Sequence, residues 1–124
     1  MKLNLFIIFF FLQFLLLGCN SEAPLIPIEG TITYKGIPVP KGEIYFDPDA
    51  NTKGLQGRAL INQGKFSTKE LNSGISSGKY KIRIHGFDGK PKEEAPMGKA
   101  IFPAYEIPLT LVEGQPLMID VPSK

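Results

Sequence analysis

From residue 28 onward, no stretch of this chain repeats apolar residues at i, i+3, i+4 and i+7 over helical length, while several stretches alternate apolar and polar residues with period two. Gly or Pro interrupts the pattern about every ten residues, which limits each segment to a short strand followed by a turn. The alternation predicts strands over 28–34, 43–46, 58–61, 65–68, 79–85, 109–113 and 117–121. The cleanest is 79–85: Tyr80, Ile82 and Ile84 face inward, and Lys79, Lys81, Arg83 and His85 face outward. Lys35-Gly36 and Lys41-Gly42 read as turns, with 37–40 extended between them because Pro biases the residue before it away from helix. Asn62-Gln63-Gly64 reads as a hairpin turn, and Gly114-Gln115 as the turn between the last two strands. Seven short strands joined by tight turns imply an all-β fold, an antiparallel β-sandwich.

The N-terminus is of a different kind. Lys2 is followed by an apolar run over 3–17, broken only by Asn4 and Gln13, and the run ends in Leu16-Leu17-Gly18-Cys19. At about 15 residues it falls short of the ~20 that a membrane-spanning helix needs. A positive start, a short apolar core and a small residue before the cut read as a secretory signal over 1–18. The chain's one cysteine directly follows that small residue. The tetrapeptide resembles the lipobox of bacterial lipoproteins. The resemblance implies cleavage before Cys19, a thioether-linked diacylglycerol on its sulfur and an acyl chain of the palmitate type on its new amine. One acyl chain holds a protein to a membrane only marginally, and two or three hold it permanently. Asn20 stands where an Asp favours inner-membrane retention in Gram-negative lipoproteins, so the expected address is the cell envelope at the outer membrane. Residues 19–27 then form the lipidated N-terminus and a polar, Pro-containing tether, and 28–124 the domain.

A mature chain of about 106 residues makes one domain with a modest core. With Cys19 carrying lipid, no disulfide is available and stability rests on packing. Removing Lys2 leaves a formal charge of about +1, too weak a basic bias for general nucleic-acid binding.

The ordered motifs of the domain resemble the small planctomycete lipoproteins that carry a carboxypeptidase-regulatory-like domain. They are Gly30-Thr31-Ile32-Thr33-Tyr34-Lys35-Gly36-Ile37-Pro38-Val39, Gly42-Glu43-Ile44-Tyr45-Phe46-Asp47-Pro48, Ile61-Asn62-Gln63-Gly64-Lys65-Phe66, Gly78-Lys79-Tyr80-Lys81-Ile82-Arg83-Ile84 and Pro103-Ala104-Tyr105. The resemblance covers nearly all of the mature chain. It implies a prealbumin-like (transthyretin-like) Greek-key sandwich and a non-catalytic module, and it supplies no catalytic residues. Glu106 and Pro108 stand where that family more often has Asn and Ser or Thr.

No residue pattern points to an enzyme. His85 is the only histidine, and no nucleophile motif surrounds any serine. Nothing clusters with metal-ligand spacing. Asp47-x-Asp49-x-Asn51 has half of a calcium-loop spacing, but Thr52 and Arg58 occupy the positions that need Gly and an acid, so a plain turn is expected. No cofactor or metal is expected. The candidate binding surface is the basic stripe Lys79, Lys81, Arg83 and His85, read either as a docking face or as a solvated face paired to acids such as Glu43 or Glu29. Tyr45, Phe87 and Tyr105 are the aromatics available to a glycan. The expected function is therefore a lipid-anchored module that binds an envelope protein or serves structurally, with a carbohydrate-binding accessory domain as the alternative. The loops 47–57 and 86–102 and the sheet edges are its expected contact surfaces.

Overall fold

The computed structural model describes residues 25–123 and, before them, Gly18 alone. The signal sequence, Cys19 and its lipidation, and most of the tether lie outside the described residues. Eight strands follow: β1 (Glu29–Tyr34), β2 (Ile37–Pro38), β3 (Lys41–Pro48), β4 (Gly57–Asn62), β5 (Lys65–Ser67), β6 (Gly78–Phe87), β7 (Tyr105–Leu111) and β8 (Leu117–Val121). One turn of 3-10 helix, Thr68–Leu71, follows β5, and no α-helix occurs among the described residues. The chain is all-β.

The strands form one hydrogen-bonded ladder, β8-β1-β5-β4-β3-β6-β7, with the two-residue β2 continuing β5 along the same edge of β1. Every strand pairing is antiparallel except β1 with β8, which is parallel. The expected turn at Gly114-Gln115 is present, with the Gln115 N–H donating to the Val112 carbonyl at 3.4 Å, but it does not join two paired strands. β7 and β8 stand at opposite ends of the ladder, and the segment 112–116 crosses between them. That crossing dictates the shape. Laid flat, seven strands at about 4.8 Å spacing put the outer two nearly 30 Å apart. The path from Leu111 to Leu117 reaches only about 20 Å when fully extended. The sheet must curl to bring its edges together, and it forms a half-barrel.

Two turns set the local register. Lys35-Gly36 and Gln63-Gly64 hold both central residues at positive φ, between 50° and 76°, as a two-residue type I′ hairpin turn requires. The turn expected at Lys41-Gly42 is instead the start of β3. A Cβ on Gly42 would come within 2.2 Å of the His85 carbonyl oxygen, so here glycine permits close approach of β6 rather than a reversal.

The concave side of the curl holds the core. Ile32, Ile44, Phe46, Ala59, Ile61, Phe66, Tyr80, Ile82, Ile84, Leu111, Ile119 and Val121 are buried, all at the inward positions of their strands. Ile82 and Ile84 alone, both fully enclosed, contribute about 3–6 kcal/mol by transfer from water. The rings of Phe46 and Phe66 meet at 6.2 Å between centroids, joining the β3 and β5 parts of the sheet. Tyr80 is buried with its hydroxyl 3.1 Å from Ser76 Oγ, which satisfies its polar end. Ile26, within the stretch read as tether, is also buried, and its backbone exchanges two hydrogen bonds with Ile75 (2.7 and 3.0 Å).

Candidate functional site

The outward face of the β4-β3-β6-β7 sector carries the densest group of polar side chains, centred on Tyr45. Strand alternation puts Glu43, Tyr45 and Asp47 of β3 on this face with Lys81, Arg83 and His85 of β6. The register sets Tyr45 opposite Arg83, Glu43 opposite His85 and Asp47 opposite Lys81. On the other flank β4 brings Arg58 opposite Tyr45, and β7 brings Glu106 opposite Arg83.

The side chains connect accordingly. The Tyr45 hydroxyl donates to Glu43 Oε2 at 2.9 Å, and Arg58 Nη2 donates to the other oxygen of the same carboxylate. The Arg83 guanidinium lies 5.0 Å from the Tyr45 ring centroid and that of Arg58 5.8 Å, so the ring face attracts two cations. His85 meets the same ring edge-on at 5.9 Å. Arg83 also pairs with Asp47 at 3.5 Å, and Lys81 with Glu106 at 3.7 Å. Burial pushes the Tyr45 phenol above its usual value, and the hydrogen bond to the Glu43 carboxylate and its charge add to this; the two guanidiniums pull the other way. The Arg58 guanidinium is held further in its charged form by its hydrogen bond to Glu43.

Of the expected basic stripe, Arg83 and Lys81 are thus matched by carboxylates and His85 is packed on an aromatic edge. Lys79 has no carboxylate partner among the described residues, and its backbone N–H donates to Thr52 Oγ1 at 3.1 Å. Arg58, Lys81 and Arg83 are matched by Glu43, Asp47 and Glu106, whereas Lys79 and Lys41 on the same face have no carboxylate partner among the described residues, so the face as a whole is net positive. Such exposed ion pairs contribute little to stability, about 0–1 kcal/mol each. What the face offers a partner is an ordered set of donors and acceptors around one aromatic ring. An open concavity of about 790 Å³ adjoins it, bordered by Asp47, Pro48, Lys79, Lys81, Glu106 and Pro108.

The three aromatic candidates do not share a surface. Phe87 ends β6 on the outward side, whereas Tyr105 pairs with Ile84 and packs against the core from the concave side. Tyr105 is half-buried there, on the side of the sheet away from Tyr45. The alternation of β7 begins at residue 105, earlier than the sequence pattern indicates, and that sets its direction.

The two loops expected as contact surfaces stand at opposite ends of the sheet. In the first, Asp49 Oδ1 accepts from the Ala50 N–H and the Asp49 carbonyl accepts from Thr52, a turn closed on itself. Asp47 is turned to Arg83 and Gln56. In the second, Asp88 Oδ1 accepts from the N–H groups of Lys90 (2.9 Å) and Lys99 (3.1 Å), tying the two stems together. The Lys90 N–H is the main reason the Asp88 carboxyl is held below its usual value; slight desolvation opposes it and the Lys99 N–H assists. Lys92 and Ala95 exchange backbone hydrogen bonds at 3.0 Å to close the tip. Among the described residues no group of three or more His, Cys, Asp or Glu is placed to hold a metal ion, and no helix is long and apolar enough to cross a membrane.

Sequence reasoning missed Arg58. Its outward position is readable from the alternation over 58–61, but its place against Tyr45 and Glu43 depends on the β3–β4 register. Compared with models of known protein families, with curated proteins and with solved structures, the chain finds no match in any of the three.

Proposed function

We propose that this protein is a lipid-anchored, non-catalytic β-module of the cell envelope, held to a bilayer, at the outer membrane, through acylated Cys19. The observation that carries this reading is Leu16-Leu17-Gly18-Cys19 closing an apolar run too short to span a bilayer. We further propose that the half-barrel is a transthyretin-like sandwich of the carboxypeptidase-regulatory-like kind. In its support, β4 and β5 share only two register pairs, Ile61 with Phe66 and Asn62 with Lys65, so the ladder is narrow between β8-β1-β5 and β4-β3-β6-β7, where a sandwich would fold. Its partner is an envelope protein, and the surface offered is the face of paired charges around Tyr45, with Lys79 and Lys41 left over as positive charge.

The test is the mass of the mature N-terminal peptide together with partition into detergent. The wild-type protein is expected to start at Cys19, carry a lipid-sized mass and enter the detergent phase. Cys19→Ser is expected to lose both properties. A Cys19 without lipid, or a Cys19→Ser protein that still partitions into detergent, overturns the anchored reading.

A further inference from the structure

The strand pairings place one end of the half-barrel unambiguously. β1 and β8 start there, β3 and β7 finish there, and β4 and β6 start there. The described chain also enters at this end, through Leu25 and the pairing of Ile26 with Ile75. Only residues 20–25 separate Cys19 from Ile26, a path of about 20–25 Å when fully extended.

Exposed apolar side chains gather at the same end. Among the described residues, seven large hydrophobics are exposed: Leu25, Ile37, Leu55, Leu60, Leu71, Val112 and Met118. Four of them, Leu25, Leu55, Leu71 and Val112, project from the entering segment, the β3–β4 loop, the 3-10 turn and the β7–β8 crossing, all at the end where the chain enters. Leu55 is the most exposed loop residue of the set, at 74%. Charge there is mixed, with Lys53, Lys69 and Lys79 set against Glu29, Asp49, Glu70 and Glu113, so neither sign dominates.

Resting on the lipid-anchored reading above, we infer that this end is a membrane-contacting surface: Leu25, Leu55, Leu71 and Val112 seat in the headgroup–acyl boundary of the bilayer that holds Cys19. A short tether keeps this end within reach of the lipid, and apolar side chains on separate loops gain by entering the boundary once held there. The domain then stands upright on the membrane, with the Lys35-Gly36 turn and the 88–102 loop pointing away. Because neither sign dominates, the contact changes little with salt.

The chain contains no tryptophan, so a single introduced Trp reports its own surroundings. The experiment places Leu55→Trp and Ile37→Trp separately in the full mature protein. Each is purified with its lipid, confirmed by mass, and reconstituted on phosphatidylethanolamine–phosphatidylglycerol vesicles containing brominated lipid. Both sites are exposed, Ile37 at 64%, so neither change disturbs the core. The expected result is a blue-shifted emission and loss of intensity for Trp at 55, unchanged at high salt, with water-like, unquenched emission for Trp at 37. Water-like emission at both sites, or equal quenching at both, overturns the inference while leaving the lipid anchor standing. Absence of lipid mass on Cys19 overturns the anchored reading and this inference with it.

Discussion

Thr68 shows how one polar atom holds the start of this fold. It is fully buried, its Oγ1 accepts the Ile28 N–H at 2.9 Å, and its own N–H donates to the Ile28 carbonyl at 2.9 Å. Ile28 precedes β1, where no neighbouring strand supplies an acceptor for that N–H, so the hydroxyl does so. Thr68→Val keeps the shape and removes the acceptor, leaving a buried N–H unpaired. The expected cost is about 1–3 kcal/mol, read as a lower urea midpoint with an unchanged slope. Thr68→Ser, which retains the oxygen, is expected to recover most of it. An unchanged midpoint for the Val variant would mean that the Ile28 N–H finds another partner. The polar face around Tyr45 obeys different energetics. Its groups are half-buried and paired more than one way, so the loss of any one of them is shared among neighbours.

Edge strands make the strongest demand on the sequence, because each presents unpaired backbone groups to any passing strand. β7 is such an edge, seven residues long, with Tyr105, Ile107 and Leu109 only half buried. Pro108 sits at its centre, opposite Lys81 in an unbroken ladder. A proline fits there only with its nitrogen turned to the open side, and it removes a donor from the middle of that side. Pro108→Val is expected to complete the edge and promote self-association, seen as a concentration-dependent rise in sedimentation coefficient that wild type lacks; a monomeric variant would show the edge to be guarded otherwise. The same proline explains what the sequence hides. Period-two alternation marks the cores of β1, β3, β4, β6 and β8, because each has one dry and one wet face. It starts the penultimate strand at 109 because Pro108 reads as a breaker, which conceals the inward direction of Tyr105. Alternation also gives no partners. The basic stripe of β6 is legible, but its neutralisation by Asp47 and Glu106 depends on register, which no local pattern encodes. The parallel pairing of β8 with β1 is hidden for the same reason.

That pairing decides whether the molecule closes. β1 is the first strand of the domain and β8 the last, and Thr33 Oγ1 reaches Asp120 Oδ1 at 2.8 Å across 87 residues of sequence. Few contacts in the chain are less local, and non-local pairing slows folding because loop closure precedes its reward. β8 also supplies Ile119 and Val121 to the core. At about 1.5–3 kcal/mol for each buried side chain, their removal costs about 3–6 kcal/mol. That is a large share of the 5–15 kcal/mol by which domains of this size are stable. It also strips β1 of the neighbour that pairs with five of its six residues, since β5 and β2 each cover just part of its other edge. A chain ending after Glu113 is therefore expected to lose its strand signal by circular dichroism and to be digested by dilute protease that leaves the full chain intact. Asp120→Ala, which removes only the exposed hydrogen bond to Thr33, is expected to remain folded. The contrast separates loss of one surface contact from loss of closure. A truncated chain that stays resistant would mean that β5 and β2 alone hold β1 in place, and that the crossing 112–116 follows the curl of the sheet instead of fixing it.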